Sequence, residues 1–266
     1  MTLTWTRPSR LWTAPAAAPA RPIRLTADST DGRLIYAVGD IHGRRDLLQL
    51  IVRKIAVDAI ASGVTQQPML VFLGDYIDRG PESAGVISYL LALRALNGFE
   101  VRCLKGNHEQ TLLRFLEDAQ MGPVWMEHGG GATLASYGVT APSKRGDKAG
   151  WEAARAAFAE AIPADHVDFF RETELCMTVG DYFFVHAGVR PGLALAEQSE
   201  NDLLWSRGEF LNERRPFEKI IVHGHTPAEA AFIGSTRIGV DTGAYATGLL
   251  TAARLEGAHQ DVIGTL

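Results

Sequence analysis

Three short apolar runs each stop at a glycine: LIYAV (34–38) at Gly39, MLVFL (69–73) at Gly74 and EVRCLK (100–105) at Gly106. Between them lie stretches with apolar residues at helical spacing. Residues 44–60 carry Leu47, Leu48, Ile51, Ile55 and Ile60, and residues 82–96 read as a helix with Pro81 at its first turn. A third such stretch, TLLRFLEDA, follows the last run. Strands joined through helices of this length must run parallel, so the spacing predicts a β-α-β-α-β unit with three neighbouring strands. The period of about 33 residues does not make a helical solenoid, because the units contain strands and lack self-similarity.

The second half reads differently. Strands are expected at 174–179, at 182–187 across a Gly180-Asp181 turn, and at 219–224, 236–241 and 248–256, mostly antiparallel. Residues 120–170 hold a glycine cluster (Gly129, Gly130, Gly131), a basic turn (143–148) and an Ala-rich helix (151–161). They read as a cap-like insertion over the core. The expected class is a mixed α/β domain with two packed sheets, spanning 32–266. Residues 1–31 read as a flexible tail: 1–27 carry four arginines, four prolines and no acid. That composition also resembles a transit peptide, whereas the prolines deny it the apolar core of a secretory signal.

Charged residues make up 21% and apolar ones 46% of the chain, which excludes wholesale disorder. No run approaches about 18 apolar residues, so no transmembrane helix is expected. A net charge of −5 argues against nucleic acid or an anionic membrane as partner. It leaves room for an anionic substrate, because bound cations reverse the local sign. The two cysteines, Cys103 and Cys176, sit in apolar strand-like runs and are read as reduced, buried thiols, which points to a cytoplasmic location.

Chemistry concentrates at strand ends, in GDIHG (39–43), GDYIDRG (74–80), GNHE (106–109), VHAG (185–188) and VHGHT (222–226). Ligands of α/β sheets bind outside the carboxyl ends of strands. Asp40 and Asp75 are 35 residues apart, Asp75 and Asn107 are 32 apart, and each interval is one β-α unit, so these side chains become neighbours. One histidine there would be an ordinary polar core residue, but five strand ends bearing Asp, Asn or His form a set. Buried together without a cation, these groups would be costly to desolvate. Oxygen and nitrogen donors without thiolate fit Mn, Fe or Zn, and a shared carboxylate would make the site dinuclear.

At these motifs the sequence resembles the phosphoprotein phosphatase family of metallophosphoesterases, and within it the bacterial serine/threonine protein phosphatases. The resemblance runs from about residue 34 to 245. It implies the metallo-dependent phosphatase fold, a four-layer α/β/β/α sandwich with two mixed sheets. It also implies two divalent metal ions, with Mn expected to serve in vitro and Fe or Zn as alternatives. Asp40, His42 and Asp75 would hold one metal; Asp75, Asn107, His186 and His225 the other. Arg79 and, by a looser match in LLWSRGEF, Arg207 would bind the substrate phosphate, with Asn107 beside them. His108 would protonate the leaving group and Asp78 would orient His108. The activity implied is hydrolysis of phosphoserine and phosphothreonine in proteins, extending to phosphotyrosine or small phosphoesters, by in-line attack of a hydroxide shared by the metals. No cysteine nucleophile is required, and neither cysteine is followed by a phosphate-binding loop.

Two other functions compete. Bacterial relatives that split symmetrical dinucleoside tetraphosphates share most motifs but tend to carry GNHD, so Glu109 favours the protein phosphatase. A non-catalytic phosphate-binding scaffold would have lost a ligand, and none is missing. His223 shares strand parity with His225 and is assigned a supporting or purely structural role. Pro227 stands where other metallophosphoesterases often place a further histidine. Asp241 is expected to support the site; His128 and Gly129–Gly131 read as a loop, with shaping of the substrate cleft as the alternative; Arg44 and Arg45 read equally as phosphate-steering residues or a solvated helix start; and His166 and His259 are expected at the surface.

Overall fold

The structure, a computed structural model, describes residues 29–266. The expected tail therefore lies almost wholly outside the described residues. Among the described residues there are ten strands: β1 (Leu34–Val38), β2 (Met69–Phe72), β3 (Glu100–Cys103), β4 (Cys176–Val179), β5 (Tyr182–Val185), β6 (Ile220–His223), β7 (Phe232–Ile233), β8 (Arg237–Gly239), β9 (Thr251–Glu256) and β10 (His259–Gly264). The helices that matter below are α1 (Arg45–Ser62), α2 (Ser83–Arg94), α3 (Asn107–Glu117), α4 (Gly122–Glu127), α5 (Gly130–Ser136), α6 (Lys148–Ala161), α7 (Ala164–Glu172), α8 (Glu200–Trp205) and α9 (Gly208–Asn212).

One sheet has the order β10-β9-β1-β2-β3, the other β4-β5-β6-β8-β7. As the β-α-β-α-β pattern demands, β1, β2 and β3 run parallel, with Val38 opposite Phe72 and Phe72 opposite Cys103. The second sheet departs from the mostly antiparallel expectation. There β5, β6 and β8 are parallel, and only the β4–β5 and β7–β8 pairs are antiparallel. The β5–β6 connection, which carries α8 and α9, and the β6–β8 connection, which carries β7, are long enough to cross over, which apolar patterning alone does not reveal.

Alternation of side chains along β1 and β2 sorts them into two cores. Tyr36, Val38, Leu70 and Phe72 face α1–α7, together with Leu48, Ile51, Ile87, Phe115, Trp125 and Phe158. Ile35, Ala37, Met69 and Val71 face the other sheet and meet Tyr182, Phe184, Ile220, Val222 and Ile238. On the far side, Phe183, Val185 and Ile221 pack under Leu203 of α8 and Phe210 of α9. The result is a four-layer α/β/β/α sandwich. Residues 119–172 are mostly helical apart from 137–147 and share the first core through Trp125, Trp151, Phe158 and Phe169. Among the described helices none is long and apolar enough to cross a membrane.

Candidate active site

The loops after β1, β2, β3, β5 and β6 bring their Asp, Asn and His residues together. Asp40, His42, Asp75, Asn107, His108, His186 and His225 are all buried. Six non-glycine residues among those described have positive φ, and five of them are His42, Asp75, Asp78, Arg79 and His225. Backbone strain of this kind costs about 1–3 kcal/mol per residue and persists where the surroundings over-determine it. Close approach adds to it: a Cβ on Gly106 would run into the Asp75 backbone and the Glu109 carboxylate.

Asp75 is the centre. Its Oδ2 lies 3.5 Å from His42 Nε2 and 3.7 Å from His108 Nε2, while its Oδ1 lies 3.4 Å from His186 Nε2. Two clusters with metal-ligating geometry follow, His42–Asp75–His108 and Asp75–His186–His225, sharing this carboxylate. Backbone carbonyls set the imidazole orientations: Nδ1 of His42 donates to Ile77 O at 2.8 Å, and Nδ1 of His186 donates to Leu73 O at 2.9 Å. Each ring thus turns an Nε2 lone pair toward Asp75, as ligating histidines do when their other nitrogen is held. Asn107 Oδ1 sits 2.9 Å from that His186 Nε2, and His225 Nδ1 is 3.1 Å from it. His225 Nε2 is buried with no hydrogen-bond partner. Asp40 accepts the His225 amide at 3.0 and 3.1 Å and lies outside the two tight clusters, next to Asp241.

Such convergence of oxygen and nitrogen acceptors fits divalent cations. The electrostatics agree. Burial, then neighbouring carboxylates, push Asp40 and Asp75 well above the usual carboxylate range. Burial lowers His42 and His225 far below the ordinary imidazole range and His186 to about 3, so these rings are neutral, the form in which an imidazole can ligate a metal. Donors of O and N type without thiolate match a hydrolytic two-metal site.

Around this centre stand the other expected residues. His108 Nδ1 is 2.6 Å from Asp78 Oδ2, and its Nε2 is 3.4 Å from a terminal nitrogen of Arg79. Arg79 is exposed at the mouth, its guanidinium stacked 4.6 Å over the ring of Tyr245. Tyr245 also meets His42 edge-on, a contact no sequence signal announced. Arg207 caps α9 and its charge acts on His108, His186 and His225. His128 and Trp205 line the opposite side, 6.0 Å from His108 and 6.3 Å from His225 respectively.

Several sequence expectations change. His166 is buried, not superficial: its Nδ1 meets Tyr137 OH at 2.7 Å and its Nε2 meets Ser88 Oγ at 3.1 Å. His223 does not share the site side with His225. The strand ends at His223, and His225 has φ +65°, so parity fails; His223 turns to Phe210 and Arg237. Arg44 is engaged with Asp46 and the Ala244 carbonyl. Glu109 is fully buried. Its carboxylate accepts the amides of Asp75 (2.9 Å), Tyr76 (2.9 Å) and Gly106 (2.8 Å), clamping two motif loops together. A glutamate three residues into a helix, aimed back at its start, is the signal that could have shown this role. Burial pushes the Cys103 thiol up to about 12, consistent with an inert core residue.

Fold and site define a metallophosphoesterase. Residues 33–251 match the calcineurin-like phosphoesterase model, and the chain belongs to that family. It is 29% identical over 234 residues to serine/threonine-protein phosphatase 1 of Salmonella typhimurium, covering 86% of this chain and 95% of the relative. It is 28% identical over 236 residues to the asymmetrical bis(5'-nucleosyl)-tetraphosphatase PrpE of Bacillus velezensis, covering 82% of this chain and 87% of that one. Among solved structures it resembles a candidate diadenosine tetraphosphatase, with a TM-score of 0.59 and 20% identity over 88% of this chain and 94% of that one.

Proposed function

We propose that the protein hydrolyses phosphoserine and phosphothreonine monoesters in proteins, with phosphotyrosine as a further substrate, in the bacterial cytoplasm. Asp40, His42 and Asp75 hold one divalent cation; Asp75, Asn107, His186 and His225 hold the other, manganese serving for both. The cations, when bound, supply Lewis acidity and lower the pKa of a water. Arg79 and Arg207, exposed above the cluster, bind the non-reacting phosphoryl oxygens and offset charge that grows toward the transition state. Stacking on Tyr245 keeps the Arg79 fork aimed into the site.

The observation that carries the substrate choice is the buried His108–Asp78 pair. With Nδ1–H held by Asp78, Nε2 faces Arg79 and Asp75, and it is the position from which a protonated His108 would give up its second N–H. A serine alkoxide is a poor leaving group and must receive a proton, a service worth about 10²–10⁴ in rate. A nucleoside phosphate leaving from an anhydride needs it far less. The second reading, dinucleoside tetraphosphate hydrolysis, is favoured by the PrpE relative and is tested beside the first. Side-by-side turnover of a phosphoserine peptide and diadenosine tetraphosphate should favour the peptide in kcat/KM. Preference for the dinucleotide would replace the first reading by the second.

A further inference from the structure

The Asp78 carboxylate receives two donors besides His108. The indole Nε1–H of Trp125 donates to Oδ2 at 2.9 Å, and the Thr133 hydroxyl donates to Oδ1 at 2.5 Å. All four residues are buried. The same hydroxyl oxygen accepts the Asp78 amide at 2.9 Å, and Ser83 Oγ shares that amide at 3.1 Å. Trp125 belongs to α4 and Thr133 to α5, so both reach the motif loop from the helical segment that follows α3. That segment also holds the next residue: the Arg79 amide donates to Gly129 O at 3.2 Å. Asp78 and Arg79 both have left-handed φ, +72° and +65°, a conformation that needs outside support.

We propose that Trp125 and Thr133 are positioning residues for general acid catalysis, fixing the Asp78 carboxylate so that it holds His108 with Nε2 turned to the leaving group. The inference rests on the reading of His108 as the acid. Packing alone explains neither side chain. A phenylalanine would keep a ring between Phe115 and Phe158, at the cost of a small cavity, without an N–H, and a valine would match Thr133 in volume without a hydroxyl. What they add is two hydrogen bonds to the charged form of a fully buried carboxylate. Burial raises the Asp78 carboxyl to about 7, and the hydroxyl and indole donors are the two largest influences in the opposite direction. With one donor on each oxygen, an ionised Asp78 is fixed in rotation, and its Oδ2 keeps a lone pair directed at His108 Nδ1.

The test uses the full chain with Trp125→Phe, Thr133→Val, Thr133→Ser and His108→Asn, measured on a phosphoserine peptide and on p-nitrophenyl phosphate. The nitrophenolate leaves without a proton, so loss of the acid should appear as a ratio between substrates. His108→Asn should lower that ratio most. Trp125→Phe and Thr133→Val should each lower it by roughly 3- to 10-fold, through kcat and not KM, and Thr133→Ser should restore it. The imidazole N–H signal of His108, assigned by its disappearance in His108→Asn, should shift in both variants. If His108→Asn depresses the ratio but the other two leave ratio and signal unchanged, Trp125 and Thr133 are packing residues and the inference falls. If His108→Asn itself slows both substrates equally, the acid assignment falls first.

Discussion

At the residue scale, Asp75 carries the account. It is the side chain within 4 Å of His42, His108 and His186, and its left-handed backbone turns the carboxylate between them. Asp75→Asn should therefore abolish turnover and lower metal content at both positions, whereas Asn107→Ala should empty mainly one. Elemental analysis of each purified variant checks this, and two tightly bound metals in Asp75→Asn would contradict the shared role. The sequence made this residue legible because a carboxylate one β-α unit from Asp40 and one from Asn107 has neighbours on both sides. It did not reveal Tyr245, which reaches Arg79 and His42 from the short helix Ala244–Thr247 between β8 and β9, or the burial of His166. Both depend on side chains meeting across elements remote in the chain.

At the scale of elements, the order and parallel pairing of β1–β3 follow from apolar runs separated by helices, and the sandwich follows from two faces that must both be covered. The short β7 and the exposed β10 were not read, because two to six half-exposed residues carry little periodicity. Helix α3 begins at Asn107, inside its motif, and not after it. That start gives Glu109 its reach to the β2 loop. Glu109→Ala would leave three buried amides without their acceptor, at about 1–3 kcal/mol for each unsatisfied group. Urea unfolding should show a lower midpoint with an unchanged slope, equivalent to a loss of roughly 3 kcal/mol or more. An unaltered midpoint would mean that the clamp is dispensable.

For the whole molecule, the two sheets place their strand ends on one rim, and helices from both outer layers supply the surroundings: α3, α4 and α5 on one side, α8 and α9 on the other. This joins Arg79 and Arg207, from opposite layers, over one buried cluster of acceptors. The central claim is that this cluster works as a dinuclear centre. The most direct measurement is stepwise loading of chelated, metal-free protein with Mn²⁺, with bound metal and p-nitrophenyl phosphate turnover followed together. Turnover should be absent without metal and should reach its plateau at two bound ions per chain. Full turnover by the metal-free chain, or a plateau at one ion, would contradict the account.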